Sequence, residues 1–115
     1  MSKTCVFCKI INKEIQSTIL YEDDEIMAFV DMNPVAPTHI LFIPKKHIDS
    51  MVSINEEDTM LLGKLFIKIS EIAKEKGFSK RGYRVVTNTG NDGGQTVSHL
   101  HLHLIAGRSF HWPPG

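Results

Sequence analysis

The sequence predicts an α+β fold in which a five-stranded, mostly antiparallel sheet packs against one long helix and one short helix. One strong amphipathic stripe lies in the middle of the chain, and five runs of β-prone residues are joined by short turns. With 115 residues and 13.0 kDa, the chain is long enough for one hydrophobic core and short for two. We therefore expect residues 1–115 to form a single domain.

The first third of the chain is expected to supply the short helix and three strands. Apolar residues at helical spacing predict a helix from Phe7 to Glu14. Two β-prone runs on either side of Asp23-Asp24 predict a hairpin whose second strand stops before Pro34. The apolar run from His39 to Ile43 predicts a third strand, and its apolar density indicates a central position in the sheet.

The remaining elements are a long helix and two strands. Ser53 and Glu56 form a capping-box pair before the helix, and Gly77 ends it. Tyr83–Asn88 and Val97–Ile105 read as the fourth and fifth strands, with a glycine-rich turn between them. The helix buries one apolar stripe, which consists of Leu61, Leu62, Leu65, Phe66, Ile69, Ile72 and Ala73.

Composition and charge narrow the class of partner. Thirteen basic and thirteen acidic residues give a formal net charge of zero, so no overall field favours nucleic acid or an anionic membrane. No apolar run approaches the ~20 residues that span a bilayer, and the start of the chain lacks the pattern of a signal peptide. We expect a cytoplasmic protein without a nucleic-acid or membrane partner.

Three histidines alternate with leucines near the end of the chain. His99, His101 and His103 would share one face of a strand, about 7 Å apart, while the leucines between them point into the core. Three roles fit this pattern: a three-histidine metal site, a polar face rich in histidine, or a nucleophile flanked by orienting groups.

Two further motifs carry possible chemistry. Cys5 and Cys8 read as a redox dithiol, as half of a zinc site, or as two small buried residues, and their place at the N-terminus weakens the redox reading. The turn that precedes the histidines offers main-chain N–H groups, amides and a hydroxyl to a phosphate, although on its own it predicts only a hairpin. Its candidate phosphate-binding residues are Asn88, Gly94, Gln95 and Thr96.

Four segments together resemble the histidine triad family, and within it the histidine triad nucleotide-binding proteins of the Hint branch. They read "VFCKIINKEI", "YEDDEIMAFVDMNPVAPTHILFIPKKHI", "NDGGQTVSHLHLHLIAGR" and "HWPPG", and they cover nearly the whole chain. The resemblance implies an α+β protomer and a homodimer whose sheets join. It also implies a purine nucleotide at the triad and hydrolysis of adenosine phosphoramidates and aminoacyl adenylates.

The same resemblance assigns roles to individual residues. His101 attacks the α-phosphate and becomes nucleotidylated, while His103 and His39 form the polar network that fixes its tautomer, with His99 as the first histidine of the triad. Chemistry agrees, because a neutral imidazole with a pKa of about 6.5 is a good nucleophile once its other nitrogen is oriented. Asn88, Gln95 and Thr96 contact phosphate, and Thr96 stands where the family often has serine. The remaining assignments are Asp31 to the ribose hydroxyls and, to the base pocket, Phe7, Phe29, Val6 and Ile10.

Members of the wider family also suggest a metal and a role for the C-terminal tail. By resemblance to bacterial members that bind zinc, a closed structural zinc site is implied, and no catalytic metal is expected. Its ligands would be Cys5, Cys8, His47 and His99. Trp112, in the tail "HWPPG", is expected near the site of the other chain of a dimer.

Two other functions remain open on the sequence. A nucleotide-binding regulatory or scaffold protein with incidental turnover would use the same residues as the enzyme. A dinucleoside polyphosphate hydrolase of the same superfamily is disfavoured by the Hint-like ending "HWPPG".

Overall fold

The computed structural model describes residues 4–115 and confirms the α+β fold. Its helices are α1 (Val6–Ile11) and α2 (Thr59–Glu75), and two short 3-10 turns, Met51–Ser53 and Glu56–Asp58, precede α2. Its strands pair antiparallel in the order β1-β2-β3-β5-β4. They are β1 (Ile19–Glu22), β2 (Ile26–Val30), β3 (Thr38–Pro44), β4 (Arg84–Val86) and β5 (Leu102–Ala106). In residues 4–115, no helix is long and apolar enough to cross a bilayer.

The two faces of the sheet bury two separate apolar clusters, as the two-residue period of a strand requires. On one face, the α2 stripe packs against alternate residues of the three central strands, among them Ala28, Phe42 and Leu104. On the other face, α1 covers the residues between them, Met27, Phe29, Leu41 and Ile43. The predicted central strand is confirmed as β3, which lies between β2 and β5 and is buried from His39 to Pro44.

The predicted strand through the triple histidine is too long at its start. Val97–Ile105 was expected, whereas β5 begins at Leu102, so His99 and His101 precede the strand. Their segment bonds to the connection after β3 instead: the N–H of Leu100 donates to the carbonyl of Ile48 at 2.6 Å. The predicted strand Tyr83–Asn88 likewise shortens to Arg84–Val86, the part that faces β5.

The first helix starts one residue earlier than predicted and ends at Ile11 instead of Glu14. Its start is fixed by Cys5, whose Sγ accepts the N–H of Cys8 at 3.3 Å, in the manner of an N-cap. It stops because Lys13 takes a positive φ of 64°, which a helix does not allow.

The capping box of α2 differs from the predicted pair of Ser53 and Glu56. Asn55 and Asp58 form it, with the Asn55 Oδ1 accepting from the Glu57 N–H at 3.0 Å and the Asp58 Oδ2 accepting from the Asn55 N–H at 3.1 Å. A 3-10 turn therefore intervenes, and α2 begins at Thr59.

The apolar stripe of α2 is narrower than predicted. Leu65, Ile69, Ile72 and Ala73 are buried, but Phe66, at the margin of the stripe, is 55% exposed. Met60 and Ile67, seven positions apart, are also exposed, on the side of α2 opposite to the buried stripe.

The two candidate caps can be separated by mutation. Asn55→Ala removes the acceptor for the Glu57 N–H and should lower the free energy of unfolding by about 1 kcal/mol. Ser53→Ala is the matched control, because Ser53 is exposed and its hydroxyl bonds to nothing in residues 4–115, so a change within about 0.5 kcal/mol is expected. Urea denaturation at one fixed protein and metal concentration measures both. Equal losses in the two variants would contradict the assignment.

Candidate active site and adjoining metal centre

Two of the predicted catalytic residues, His39 and His103, lie on the α1 face of the sheet, in two adjacent rows across the strands. One row contains His39, Ile105 and Arg84, and the main-chain bond from the Asp31 N–H to the His39 carbonyl, 3.0 Å, extends it to Asp31. The next row contains Phe29, Leu41, His103 and Val86. His39 and His103 are thus diagonal neighbours in the middle of the sheet.

Hydrogen bonds assign the tautomers of His39 and His103. The Val35 N–H donates to Nδ1 of His39 at 3.2 Å, so the ring proton of His39 sits on Nε2 and donates to Nδ1 of His103 at 2.8 Å. His103 therefore carries its own proton on Nε2.

Burial lowers the pKa of His103 to about 4, with His101 and His39 adding to the shift. Burial also lowers the pKa of His39, against the opposing effect of Asp31, whose carboxylate lies 3.3 Å from Nε2.

His101 is 5% exposed and is oriented by the main chain. Its Nδ1 lies 2.7 Å from the carbonyl oxygen of His99, so Nδ1 carries the proton and Nε2 keeps a free lone pair. The Phe7 ring packs edge-on at 5.0 Å and the His103 ring lies 4.9 Å away, centroid to centroid. The carbonyl of His99 fixes the tautomer of His101, a task that the sequence interpretation gave to His39 and His103.

The predicted phosphate-binding residues adjoin His101 in the turn before it, but their amides brace the turn. Asn88 Nδ2 donates to the Gly93 carbonyl at 2.7 Å, and Gln95 Nε2 donates to the carbonyls of Asp49 and Val97 at 2.8 and 3.0 Å. A Cβ on Gly93 would lie 2.3 Å from the Thr89 carbonyl oxygen, so only glycine fits there. Gly94 and Thr96 are exposed.

The predicted ribose and base residues are divided between the surface and the core. Asp31 borders a shallow depression of about 360 Å³ at the end of β2, and its Oδ1 accepts the Asn33 N–H at 2.8 Å. Phe7 and Ile10 are on the inner side of α1 and are buried against the sheet, where the Phe7 ring meets that of Phe29 edge to face at 5.5 Å. Val6 is on the outer side of α1 and more exposed.

Four predicted metal ligands converge beside the triad. The ligand atoms of Cys5, Cys8, His47 and His99 all lie within 4.8 Å of one another. Nδ1 of His99 is 3.4 Å from Cys5 Sγ and 3.6 Å from Cys8 Sγ, and Nδ1 of His47 is 3.2 Å from Cys8 Sγ. A tetrahedral zinc ion with usual bond lengths separates sulfur and nitrogen ligands by about 3.6 Å, so the spacing fits such an ion.

Both histidines of this cluster are already in the tautomer that binds metal through Nδ1. The Nε2–H of His99 donates to the Pro44 carbonyl, and that of His47 donates to Asp49 Oδ1, each at 2.8 Å. Burial lowers the pKa of His99 to about 4, which keeps it neutral. Burial and the neighbouring Cys5 raise the pKa of Cys8 to about 11, which opposes the redox interpretation of the pair because a reactive thiol needs a low pKa.

The two sites share one residue. His99 points its ring into the metal cluster, while its carbonyl oxygen holds His101. The three triad rings bond to three different partners and do not converge on one point, so they do not form the three-histidine metal site that the alternation left open. Asp31, His39 and His103 form a second close group, but its two imidazoles already bond to each other.

Sequence reasoning missed the residues that hold the histidines through their main chain. The carbonyl of Pro44 and the N–H of Val35 each anchor a ring, and the Thr87 hydroxyl donates to the His101 carbonyl at 2.8 Å. No residue pattern marks a main-chain group for such a role. Trp112, expected near a partner chain, is 83% exposed, and the tail before it is held by Arg84, which donates to the His111 carbonyl.

Known proteins match this chain over nearly its full length. The family model described as "Scavenger mRNA decapping enzyme C-term binding" matches residues 4–111. An HIT-like protein of Synechococcus elongatus is 50% identical over 115 residues, all of both chains, and the 14 kDa zinc-binding protein of maize is 47% identical over 96% of this chain and 87% of its own. The crystal structure of an HIT family hydrolase from Legionella pneumophila superimposes with a TM-score of 0.95 at 48% identity, covering 97% of this chain and 100% of that one. Together with the triad geometry, these matches show that the chain belongs to the histidine triad (HIT) family.

Proposed function

We propose that this protein is a purine nucleoside phosphoramidase of the Hint branch, which hydrolyses adenosine phosphoramidates and aminoacyl adenylates through a nucleotidyl-His101 intermediate. The observation that carries the proposal is the hydrogen bond from His101 Nδ1 to the His99 carbonyl, because it leaves the Nε2 lone pair free for attack. A similar solved protein, the Legionella pneumophila structure, is named a hydrolase, which supports the reaction class.

The chemistry follows from the assigned protons. Nε2 of His101 bonds to the α-phosphorus while the phosphorus–nitrogen bond of the substrate breaks, and the departing nitrogen takes a proton from solvent. The Nε2–H of His103 donates to the phosphoryl oxygen on which charge develops. Water then attacks the phosphorus, the bond to His101 breaks, and one proton returns to solvent.

The nucleoside end of the substrate is assigned to the β2 side of the triad. Asp31, next to His39, would accept hydrogen bonds from the ribose hydroxyls beside the depression that it borders. Phe7 would contact the base, since it already packs against His101. Of the glycine-rich turn, the Thr96 hydroxyl is available to phosphate because it has no partner in residues 4–115, whereas Asn88 and Gln95 keep the turn in shape.

His101→Asn tests the nucleophile. The variant should lose nearly all turnover of adenosine phosphoramidate but keep nucleotide affinity within about tenfold, or 1.4 kcal/mol, because the other contacts survive. His103→Asn should be milder, since it removes a donor and not the attacking atom. Lys74→Gln, at an exposed position near the end of α2 and outside the site, serves as control. Steady-state kinetics measures the turnover, and calorimetry measures the nucleotide affinity. Mass spectrometry after a rapid quench locates the adenylate within residues 99–103. Near wild-type turnover in His101→Asn would leave a nucleotide-binding regulatory role for the triad.

The metal cluster is proposed to bind one structural zinc ion. Two thiolates and two neutral imidazoles suit zinc, and four protein ligands leave no open position for substrate. The maize relative is named a zinc-binding protein, in agreement with this donor set. The ion would fix the start of α1 and the residue that orients His101.

Zinc analysis after purification without chelators tests the metal. About one zinc per chain is expected, and less than about a tenth would contradict the proposal. Cys8→Ser should lose the metal and lower the free energy of unfolding more than it lowers turnover, whereas His111→Asn should keep the metal.

The raised pKa of Cys8 means that its thiol holds a proton at pH 7 without metal. Zinc must displace that proton, so its apparent affinity should fall as the pH falls.

The protein is further proposed to form a symmetric dimer whose sheets join. β4 is an edge strand of the sheet in residues 4–115, and α2 carries three exposed apolar side chains, those of Met60, Phe66 and Ile67. An unpaired strand edge can pair with the same edge of a second copy, and exposed apolar side chains can be buried by such a contact. Trp112, exposed in one chain, would then be covered by the other.

Light scattering tests the dimer. Ile67→Asp places a charge on the exposed apolar side of α2, where Ile67 is 63% exposed in one chain, and should convert a dimer to monomers at micromolar concentration. Val52→Asp, at a site that is 82% exposed and precedes α2, is the matched control and should remain dimeric. A wild-type mass of 13.0 kDa at that concentration would rule out the dimer. Deleting residues 111–115 should alter substrate selectivity more than folding.

A further inference from the structure

All three arginines of the chain line one concavity on the triad side of the sheet. The concavity has a volume of about 420 Å³ and is lined by Arg81 and Arg84, near the start of β4, and by Arg108 and Phe110, just after β5. Gly107 makes the turn between β5 and Arg108 with a φ of 97°, and a Cβ there would lie 2.9 Å from Pro37. No carboxylate of residues 4–115 lies in its wall.

Two of the guanidinium groups are held in place by neutral partners. Arg108 donates from Nε and Nη2 to the Val35 carbonyl at 3.2 and 3.0 Å, and Arg84 donates from Nη2 to the His111 carbonyl at 2.8 Å. The Phe110 ring lies 4.3 Å from Cζ of Arg108 and 5.4 Å from Cζ of Arg84. These contacts orient the groups but leave their charges uncompensated.

The uncompensated charge distinguishes the arginines from the other cations. In the part of the chain that is described, every ion pair uses a lysine or a histidine. Arg81 is exposed and bonds to nothing in that part. Three like charges around one concavity repel one another unless an anion joins them, and guanidinium groups match the planar oxygens of carboxylate and phosphate.

The concavity adjoins the triad on the side opposite to the proposed nucleoside position. Arg84 is the cross-strand neighbour of Ile105 and the diagonal neighbour of His103, a spacing of about 7–8 Å. One residue also links the two regions, because the Val35 N–H bonds to His39 and the Val35 carbonyl bonds to Arg108. Across the sheet the order is therefore Asp31 on the β2 side, the histidines in the centre, and Arg84 on β4.

The geometry points to a leaving-group subsite in which Arg81, Arg84 and Arg108 bind an oxyanion carried by the group that the α-phosphate loses. This inference rests on the proposed hydrolysis and names its substrate class: adenylates whose leaving group carries a carboxylate or a phosphate. With the nucleoside on the β2 side, the rest of the substrate extends toward β4. A chain of a few bonds from the α-phosphate spans the distance between His103 and Arg84.

Three substrates with the same reacting bond test the subsite. They are the adenosine 5′-phosphoramidates of butylamine, of 4-aminobutyrate and of 3-aminopropyl phosphate, which differ in carrying no anion, a carboxylate or a phosphate. Wild-type kcat/KM should favour at least one of the two anionic substrates over the neutral one by about tenfold, and the stronger of the two identifies the anion. The preference should shrink at high salt.

Arginine variants assign that preference to the concavity. Arg81→Gln should remove most of it while leaving kcat/KM for the neutral substrate within about twofold, because Arg81 bonds to nothing in residues 4–115. Arg108→Gln should also reduce the preference, but it frees the Val35 carbonyl next to His39, so for this variant only the ratio of anionic to neutral kcat/KM is compared. Lys80→Gln is the matched control, because it removes the same charge next to Arg81 but outside the concavity. Equal rates for all three substrates in the wild type would overturn the inference. An equal loss of preference in Lys80→Gln would also overturn it, because the preference would then depend on the net charge of the protein and not on the concavity.

A binding experiment separates this inference from the proposed reaction. In the His101→Asn background the three compounds remain intact, and calorimetry measures their affinities without turnover. Tighter binding of an anionic compound that Arg81→Gln abolishes supports the subsite even if the wild type hydrolyses none of them. Equal affinities for the neutral and anionic compounds would overturn it, whatever the catalytic result.

Discussion

The hydrogen bond between the His101 ring and the His99 carbonyl is the contact on which both candidate sites depend. It selects the tautomer of His101, and it can form only if the main chain bends at His99 before β5 begins. The same bend turns the His99 ring away from the triad and toward the cysteines. A regular strand through all three histidines would have put the three rings on one face and left the cysteines without His99.

Burial of the imidazoles sets their charge state as well as their position. Burial lowers the pKa of His39, His99 and His103, which favours the neutral ring in each, and at His39 it does so against the opposing effect of Asp31. A buried polar ring is tolerated only when it is hydrogen-bonded, and in residues 4–115 no buried side-chain nitrogen or oxygen lacks a partner. The network that satisfies these rings therefore also keeps lone pairs available on Nε2 of His101 and on Nδ1 of His99.

The sequence predicted the fold class, the order of the elements and the central place of β3, because these follow from apolar periodicity. It placed element ends less well, since those depend on tertiary contacts. The N–H of Leu100 bonds to the Ile48 carbonyl and not to a neighbouring strand, so β5 begins later than predicted. Asn55 caps the turn before α2 in place of Ser53, because the local backbone geometry brings its side chain to the Glu57 N–H. The convergence of the four metal ligands was implied by family resemblance, and the structure brings them together. The arginine concavity gave no sequence signal, because its members are close in space but Arg84 and Arg108 are separated along the chain.

The metal cluster joins the two ends of the chain, and this affects folding as well as the folded state. Cys5 and His99 are 94 positions apart, so a bound ion would close a loop containing most of the protein. A cross-link over so long a loop restricts the unfolded ensemble strongly, in the manner of a disulfide. Its ligands are adjacent only after β3 and β5 have paired, because His47 follows one strand and His99 precedes the other. The six residues of α1 are too few to form a stable helix alone, so the segment that carries Cys5 and Cys8 would be among the last to reach its native position.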